Sequence, residues 1–415
     1  MKMKRPFLLV SALLLLCAVA QAGQAVINAD QVLEIQGSKT FLIGFIMPPQ
    51  PGASTPWGRN GIEELADAGA TFLRTGIIGQ NAQWDNAAFE REQKWQDAAA
   101  ACGMNCLIGL RQAASIGSPQ TEELLRKIVN RFKDHPGMGA YYGVDEPQWM
   151  KHPVEPMLKA YRMIKQLDPD HPVWVNHAPR GEIDELRAYN VTCDATGLDI
   201  YPIGYPPGEH SLGANKNISM VGDFTRHIMQ VADGKKPVWN CLQIAWSGVT
   251  KPEKTLTFPT FPQQRFMTYQ TLINGARGVI YFGGSLPMTL NERDAKYGWN
   301  WTHWQKVLRP VIEEIGAKSP LYPALVAPDS KLPIRCTGST GMEWKVREVG
   351  DDIFILACKR EGDTVRVEFN NIPEGVEPEG TVMFEQPRKI AIESGKFTDW
   401  FAPFEVHVYR LKRKT

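Results

Sequence analysis

The chain has no excess of charge of either sign: 46 Lys and Arg stand against 45 Asp and Glu in 415 residues. A nucleic-acid partner, which selects for a basic face, is therefore not expected. No Gly-rich phosphate loop occurs between a strand and a helix. Met47-Pro48-Pro49-Gln50-Pro51 follows the first apolar strand, where a doubly wound nucleotide fold would have glycines. CxxC, HxH and HExxH are all missing, which argues against zinc sites and metal-dependent hydrolysis, so neither metal nor cofactor is expected. Beyond the N-terminus no apolar run approaches the roughly 20 residues that span a bilayer. With 43% hydrophobic and 22% charged residues, the composition excludes a largely disordered chain, a fibrous repeat and a polytopic membrane protein.

The first 22 residues have the form of a secretory signal peptide. Lys2, Lys4 and Arg5 form a basic start, Phe7 to Ala20 an apolar run, and Ala20-Gln21-Ala22 a small-x-small cleavage site. Cys17 follows Leu16, where a lipoprotein would have a small residue. The expectation is a secreted or periplasmic protein with no membrane insertion after cleavage. Six cysteines then remain: Cys102, Cys106, Cys193, Cys241, Cys336 and Cys358. An even number in an exported chain permits disulfides, and free buried thiols fit equally well.

From about residue 40, short apolar runs alternate with amphipathic ones. The runs near 41–46, 71–74, 106–110, 139–144, 172–175, 195–201, 237–242 and 278–282 have strand character. Helical spacing follows each, for example Leu124, Leu125, Ile128, Val129 and Phe132 on one face behind Ser118-Pro119. Eight such units predict an α/β fold, a (β/α)8 TIM barrel over residues 23–320. After Pro320 the period changes to two, with turns at Gly350-Asp351 and Glu361-Gly362-Asp363. This predicts a small antiparallel β-sandwich over 330–415, behind a junction at 318–333 that holds four prolines.

Functional residues of such barrels lie at the C-terminal strand ends. Those ends carry Arg74, Arg111, Asp145-Glu146-Pro147, Asn176-His177, Asp199, Tyr201, Gln243, Trp246 and Ser285. Carboxylates, Arg and amides with Trp nearby suit a neutral polyhydroxylated ligand. Asp145-Glu146 is the sharpest signal, because two adjacent acids ending an apolar strand are costly to bury without a use. The bland alternative is a helix cap and an Arg-paired Glu. Asp199 is as consistent with loop anchoring as with ligand contact.

The order of elements resembles the barrel glycoside hydrolases of the large clan that includes β-galactosidases and cellulases. The resemblance rests on Gly-Val-Asp145-Glu146-Pro147 ending strand four, Arg74 ending strand two, and the segments Gly275–Phe282 and Phe401–Tyr409. It implies an acid/base Glu at Glu146 and a carbohydrate substrate. The clan's nucleophile Glu ends strand seven, where this chain has Gln243. The Asp145-Glu146 pair is also similar to that of substrate-assisted hexosaminidases, where the Asp orients an acetamido group and no protein nucleophile is needed. An inverting route with Asp199 as base is open, as is a carbohydrate-binding pseudoenzyme or a scaffold protein. The resemblance assigns Glu146 and Asp145 to catalysis and matches Arg74, while the strand-end positions assign Arg74, Arg111, His177, Asp199, Tyr201, Gln243 and Trp246 to substrate binding.

Export predicts a mature chain beginning at Gly23, read by N-terminal sequencing of the native protein. A native chain that starts at Met1 overturns it.

Overall fold

The computed structural model describes residues 23–78, 82–245 and 256–414. The signal segment and Trp246 lie outside the described residues.

Three short strands that sequence reading missed come first: β1 (Ala25–Ile27), β2 (Leu33–Ile35) and β3 (Ser38–Thr40), an antiparallel meander. The eight expected strands follow: β4 (Leu42–Ile46), β5 (Phe72–Gly76), β6 (Asn105–Gly109), β7 (Met138–Asp145), β8 (Val173–His177), β9 (Ala195–Ile200), β10 (Trp239–Gln243) and β11 (Gly278–Phe282). All pair in parallel, and β11 closes onto β4 from Gly278↔Leu42 to Tyr281↔Phe45. Alternate residues face the axis. Leu42, Phe72, Leu107, Ala140, Tyr142, Trp174, Trp239, Cys241 and Ile280 form one axial cluster. The residues between them, such as Ile43, Leu73, Ile108, Val175 and Val279, pack on the helices. Both faces are buried, which is why the strands read as continuous apolar runs. Ala25 and Leu33 of the meander join the axial cluster, and the Ala25 amide donates to Asp170 O at 3.0 Å, just ahead of β8. The meander thus plugs the N-terminal end of the barrel.

Local chemistry accounts for the helix ends. Asp85 caps Asn86–Ala101, and Ser118 forms a reciprocal capping box with Thr121 ahead of Pro119–Phe132. Gly69, at φ 103°, closes Gly61–Ala68. The helix that closes the barrel is irregular at its start, a π turn over Trp304–Leu308 leading into Arg309–Ile315. Pro310 has no amide hydrogen to continue the regular ladder.

The C-terminal part is two antiparallel sheets. One has the order β12 (Arg335–Thr337), β15 (Val365–Asn370), β18 (Phe397–Phe401). The other has the order β13 (Met342–Val349), β14 (Asp352–Lys359), β19 (Val406–Lys412), β16 (Glu379–Met383), β17 (Arg388–Ala391). On β14, Ile353, Ile355 and Ala357 face the sandwich core, while Phe354, Leu356 and Cys358 join the barrel's helix layer. The six cysteines remain free thiols.

A polar cluster ties the two parts beside this apolar seam. Glu343 on β13 accepts from Arg226 (2.7 Å), Gln270 (2.9 Å), Asn274 (3.0 Å) and Arg360 (3.2 Å). Arg360 also reaches across to both oxygens of Asp223. Removing Glu343, the most buried charged member of this partly exposed cluster, leaves its donors short of a partner, at a cost of about 1–2 kcal/mol. Glu343→Ala should therefore lower the melting temperature by a few degrees in calorimetry. An unchanged melting temperature would show that the apolar seam alone holds the two parts.

Candidate functional site

Three residues just past the C-terminal ends of β4, β6 and β7 sit in the left-handed backbone region: Met47 (φ 60°), Arg111 (φ 52°) and Glu146 (φ 46°). Such conformations cost of order 1–3 kcal/mol each for L side chains and gather at functional sites. At β7 a bulge adds to this. Tyr142 pairs with Trp174 and Asp145 with Asn176, so three residues on β7 oppose two on β8. The extra residue reverses the alternation and brings Asp145 to the same face as Tyr142. There Asp145 accepts from the Tyr142 hydroxyl and from Asn176 Nδ2 (3.3 Å). The Glu146 amide, donating to Asn176 O at 2.8 Å, fixes the next residue.

Glu146 lies beside Asp199, an axis-facing residue of β9, with carboxyl oxygens within 4.8 Å of each other. Asp199 is 6% exposed. Burial first, and the nearby Glu146 and Asp145 carboxylates second, hold its carboxyl well above the ordinary range. Burial and Asp145 also raise Glu146, against Asp199 and Arg180. Two carboxyls this close and out of water cannot both ionise, so the pair keeps a proton, held chiefly by the more deeply buried Asp199. His210 completes the group, with Nε2 at 3.6 Å from Asp199 Oδ2. Sequence reading missed His210, because it lies on the loop after β9 rather than at a strand end. Among the described residues, Glu146, Asp199 and His210 are the one set whose ligand atoms lie close enough, within 4.8 Å, to hold a metal ion.

The other expected residues divide. Arg74 is buried in the barrel, its guanidinium 4.8 Å above the Tyr142 ring and donating to Ile77 O at 2.8 Å. Gly109 makes room for it, since a Cβ there would lie 2.6 Å from Nη2. Beneath, Glu92 accepts from the Gly76 amide (2.7 Å), Thr75 (2.9 Å) and Gln96 (2.9 Å), and burial pushes its carboxyl up to about 7. Arg111 opens the short turn after β6, half-buried. Tyr201 stacks on Phe282 at 5.6 Å and on His210 at 4.5 Å, beside Asp199.

Two expectations of substrate contact need correction. His177 lies on the helix-facing side of β8, buried against Tyr189, where burial lowers its imidazole to about 3. It does not join the mouth cluster. Gln243 is fully buried, with its amide engaged on both sides: Nε2 donates to Ile203 O (2.7 Å) and Oε1 accepts from Ile203 N (2.8 Å). It behaves as a peptide unit that anchors the loop after β9.

No family model matches the sequence, and no curated protein matches it. Solved structures do resemble the fold over nearly the whole chain. One, described as a glycoside hydrolase, is 13% identical with a TM-score of 0.62, covering 94% of this chain and 97% of its own. A glycoside hydrolase family 5 protein from Bacteroides vulgatus is 12% identical with a TM-score of 0.58, covering 94% of each chain. An α-amylase from Geobacillus thermoleovorans, complexed with acarbose, is 11% identical with a TM-score of 0.56, covering 90% of this chain and 98% of its own. At such identities the likeness is one of fold, and it agrees with the barrel resemblance seen in the sequence. Among the described residues no helix is long and apolar enough to cross a membrane.

The raised Asp199 carboxyl makes a prediction about stability. A carboxyl held protonated in the fold contributes fully below its ordinary value of about 4 and loses that contribution as pH climbs toward its folded value. Asp199→Asn cannot titrate, and its amide carries no charge beside Glu146. Its melting temperature should equal that of the parent near pH 4 and exceed it increasingly toward pH 7. A variant no more stable at pH 7 than the parent would show that Asp199 is not held protonated.

Proposed function

We propose that the protein is an exported glycoside hydrolase in which Glu146 is the general acid that protonates the leaving oxygen. The carrying observation is the placement of the Glu146 and Asp199 carboxyls within 4.8 Å of each other at the C-terminal mouth of the barrel. A general acid must deliver a proton near neutral pH; in this reading the proton that Asp199 holds passes to Glu146 as Glu146 gives one to the leaving oxygen, and burial beside Asp145 raises Glu146 as well. Arg74, Tyr201 and Arg111 serve substrate binding in this reading, and no metal or cofactor takes part.

The geometry bears on the route. Inverting enzymes keep their acid and base roughly 6.5–9.5 Å apart to admit a water, and retaining pairs stand roughly 5–5.5 Å apart. The Glu146 and Asp199 carboxyl oxygens lie within 4.8 Å of each other, closer than an inverting pair, which argues against Asp199 as the base of an inverting route. Asp199 instead tunes Glu146. Gln243 supplies no nucleophile. What remains is a route in which the substrate's own group attacks the anomeric carbon, oriented by Asp145, whose carboxylate is held by Tyr142 and Asn176. Retention of anomeric configuration follows.

Glu146→Gln should lose about 10²–10⁴-fold in rate on oligosaccharides with poor leaving groups. It should lose far less on activated aryl glycosides, whose leaving groups depart without a proton. Full activity of Glu146→Gln on oligosaccharides overturns the assignment. A first product of inverted configuration, seen by NMR, overturns substrate assistance. The engagement of Gln243 with Ile203 favours a second reading, a carbohydrate-binding protein without turnover. Binding with no hydrolysis across a broad panel of glycosides would select it.

A further inference from the structure

The residues beyond Glu146 build a feature that the catalytic reading does not use. The chain turns sharply after Pro147, and the turn is pinned. Met150 N donates to Glu146 O (2.9 Å), His152 N donates to Pro147 O (2.8 Å), and the Tyr189 hydroxyl donates to His152 O (2.8 Å). At its tip stands Trp149, 49% exposed, although an indole is among the most favourable groups to bury. The Arg180 guanidinium, from the loop after β8, lies 4.1 Å from the centre of its ring. Arg180 is itself held by His210 O, and Leu212 N donates to Pro179 O (3.4 Å), so the loops after β7, β8 and β9 are tied together under the indole. One face of Trp149 is covered by a cation and the other meets solvent.

We propose that the open face of Trp149, with Arg180 behind it, is the subsite for the sugar ring on the leaving-group side of the scissile bond. This rests on Glu146 being the acid. The sugar whose oxygen receives that proton must lie outward of Glu146, and the turn carrying Trp149 leads outward from it. A pyranose presents an apolar face of C–H groups that matches the open face of an indole, and Arg180 on the opposite face holds that indole in place. Because the platform is held rigid by backbone ties, a bound ring loses little energy to ordering of the site. The occupant is the ring whose oxygen receives the proton, which makes this site a determinant of preference for chains over monosaccharide derivatives.

The test uses the full-length chain. Glu146→Gln protein is applied to an array of oligosaccharides, alone and combined with Trp149→Ala or Trp149→Phe. Trp149→Ala should weaken binding of chains of two or more rings by at least 10-fold, and Trp149→Phe, which keeps an aromatic face, should retain most of it. In the otherwise unaltered chain, Trp149→Ala should lower kcat/KM on the bound oligosaccharide by at least 10-fold. It should leave hydrolysis of the glycosyl fluoride of the same sugar unchanged, since that leaving group is a single atom. Equal losses on both substrates, or on neither, overturn the subsite, as does an array on which nothing binds. Trp149-dependent binding with full activity of Glu146→Gln leaves a sugar site at Trp149 but overturns both the acid assignment and the placing of that site on the leaving-group side.

Discussion

In a closed eight-stranded barrel each strand has one face toward the axis and one toward the helices, and this two-residue period decides which polar groups can meet. Arg74, Asp199 and Gln243 fall on the axial face and His177 on the other, although all four lie at or near strand ends. A bulge near the C-terminal end of β7 breaks this period at the mouth. It converts Asp145 from a helix-facing residue into a neighbour of Tyr142 and Asn176. Everything chemical in the site depends on that extra residue and on the left-handed turn at Glu146 that follows it.

The mouth concentrates features that the rest of the fold avoids. Strained backbone, neighbouring carboxyls and a buried guanidinium lie within a few residues of one another, while the opposite end is closed by a small apolar meander. A site that binds protons tightly where folding would prefer none gives up stability for chemistry. The large shared seam with the sandwich, joined through Phe266 and Phe404 (5.3 Å between ring centres) and through Glu343, is where the molecule recovers rigidity.

The strand run at Asp145-Glu146, the eight strand–helix alternations and the change of period after Pro320 were all legible, because each is a local pattern. The short strands β1–β3 were not. Three residues apiece is too little for a period to emerge, and their partner is the end of a barrel that does not exist until the chain folds. The π turn at Trp304–Leu308 was legible in principle from Pro310. His210 left no signal, since nothing near Glu209-His210-Ser211 marks it as a neighbour of Asp199.

Taken alone, the sequence determines which segments are strands, where each ends, and that acids, cations and amides gather at one end, since strand order and parallel pairing put all C-terminal ends together. Which of those residues face one another is decided only by closure. The inward or outward direction of each side chain depends on register and on the bulge, as does the closeness that lets Glu146 and Asp199 hold one proton. These are properties of paired strands in a common low-dielectric space, and no single stretch of chain contains them.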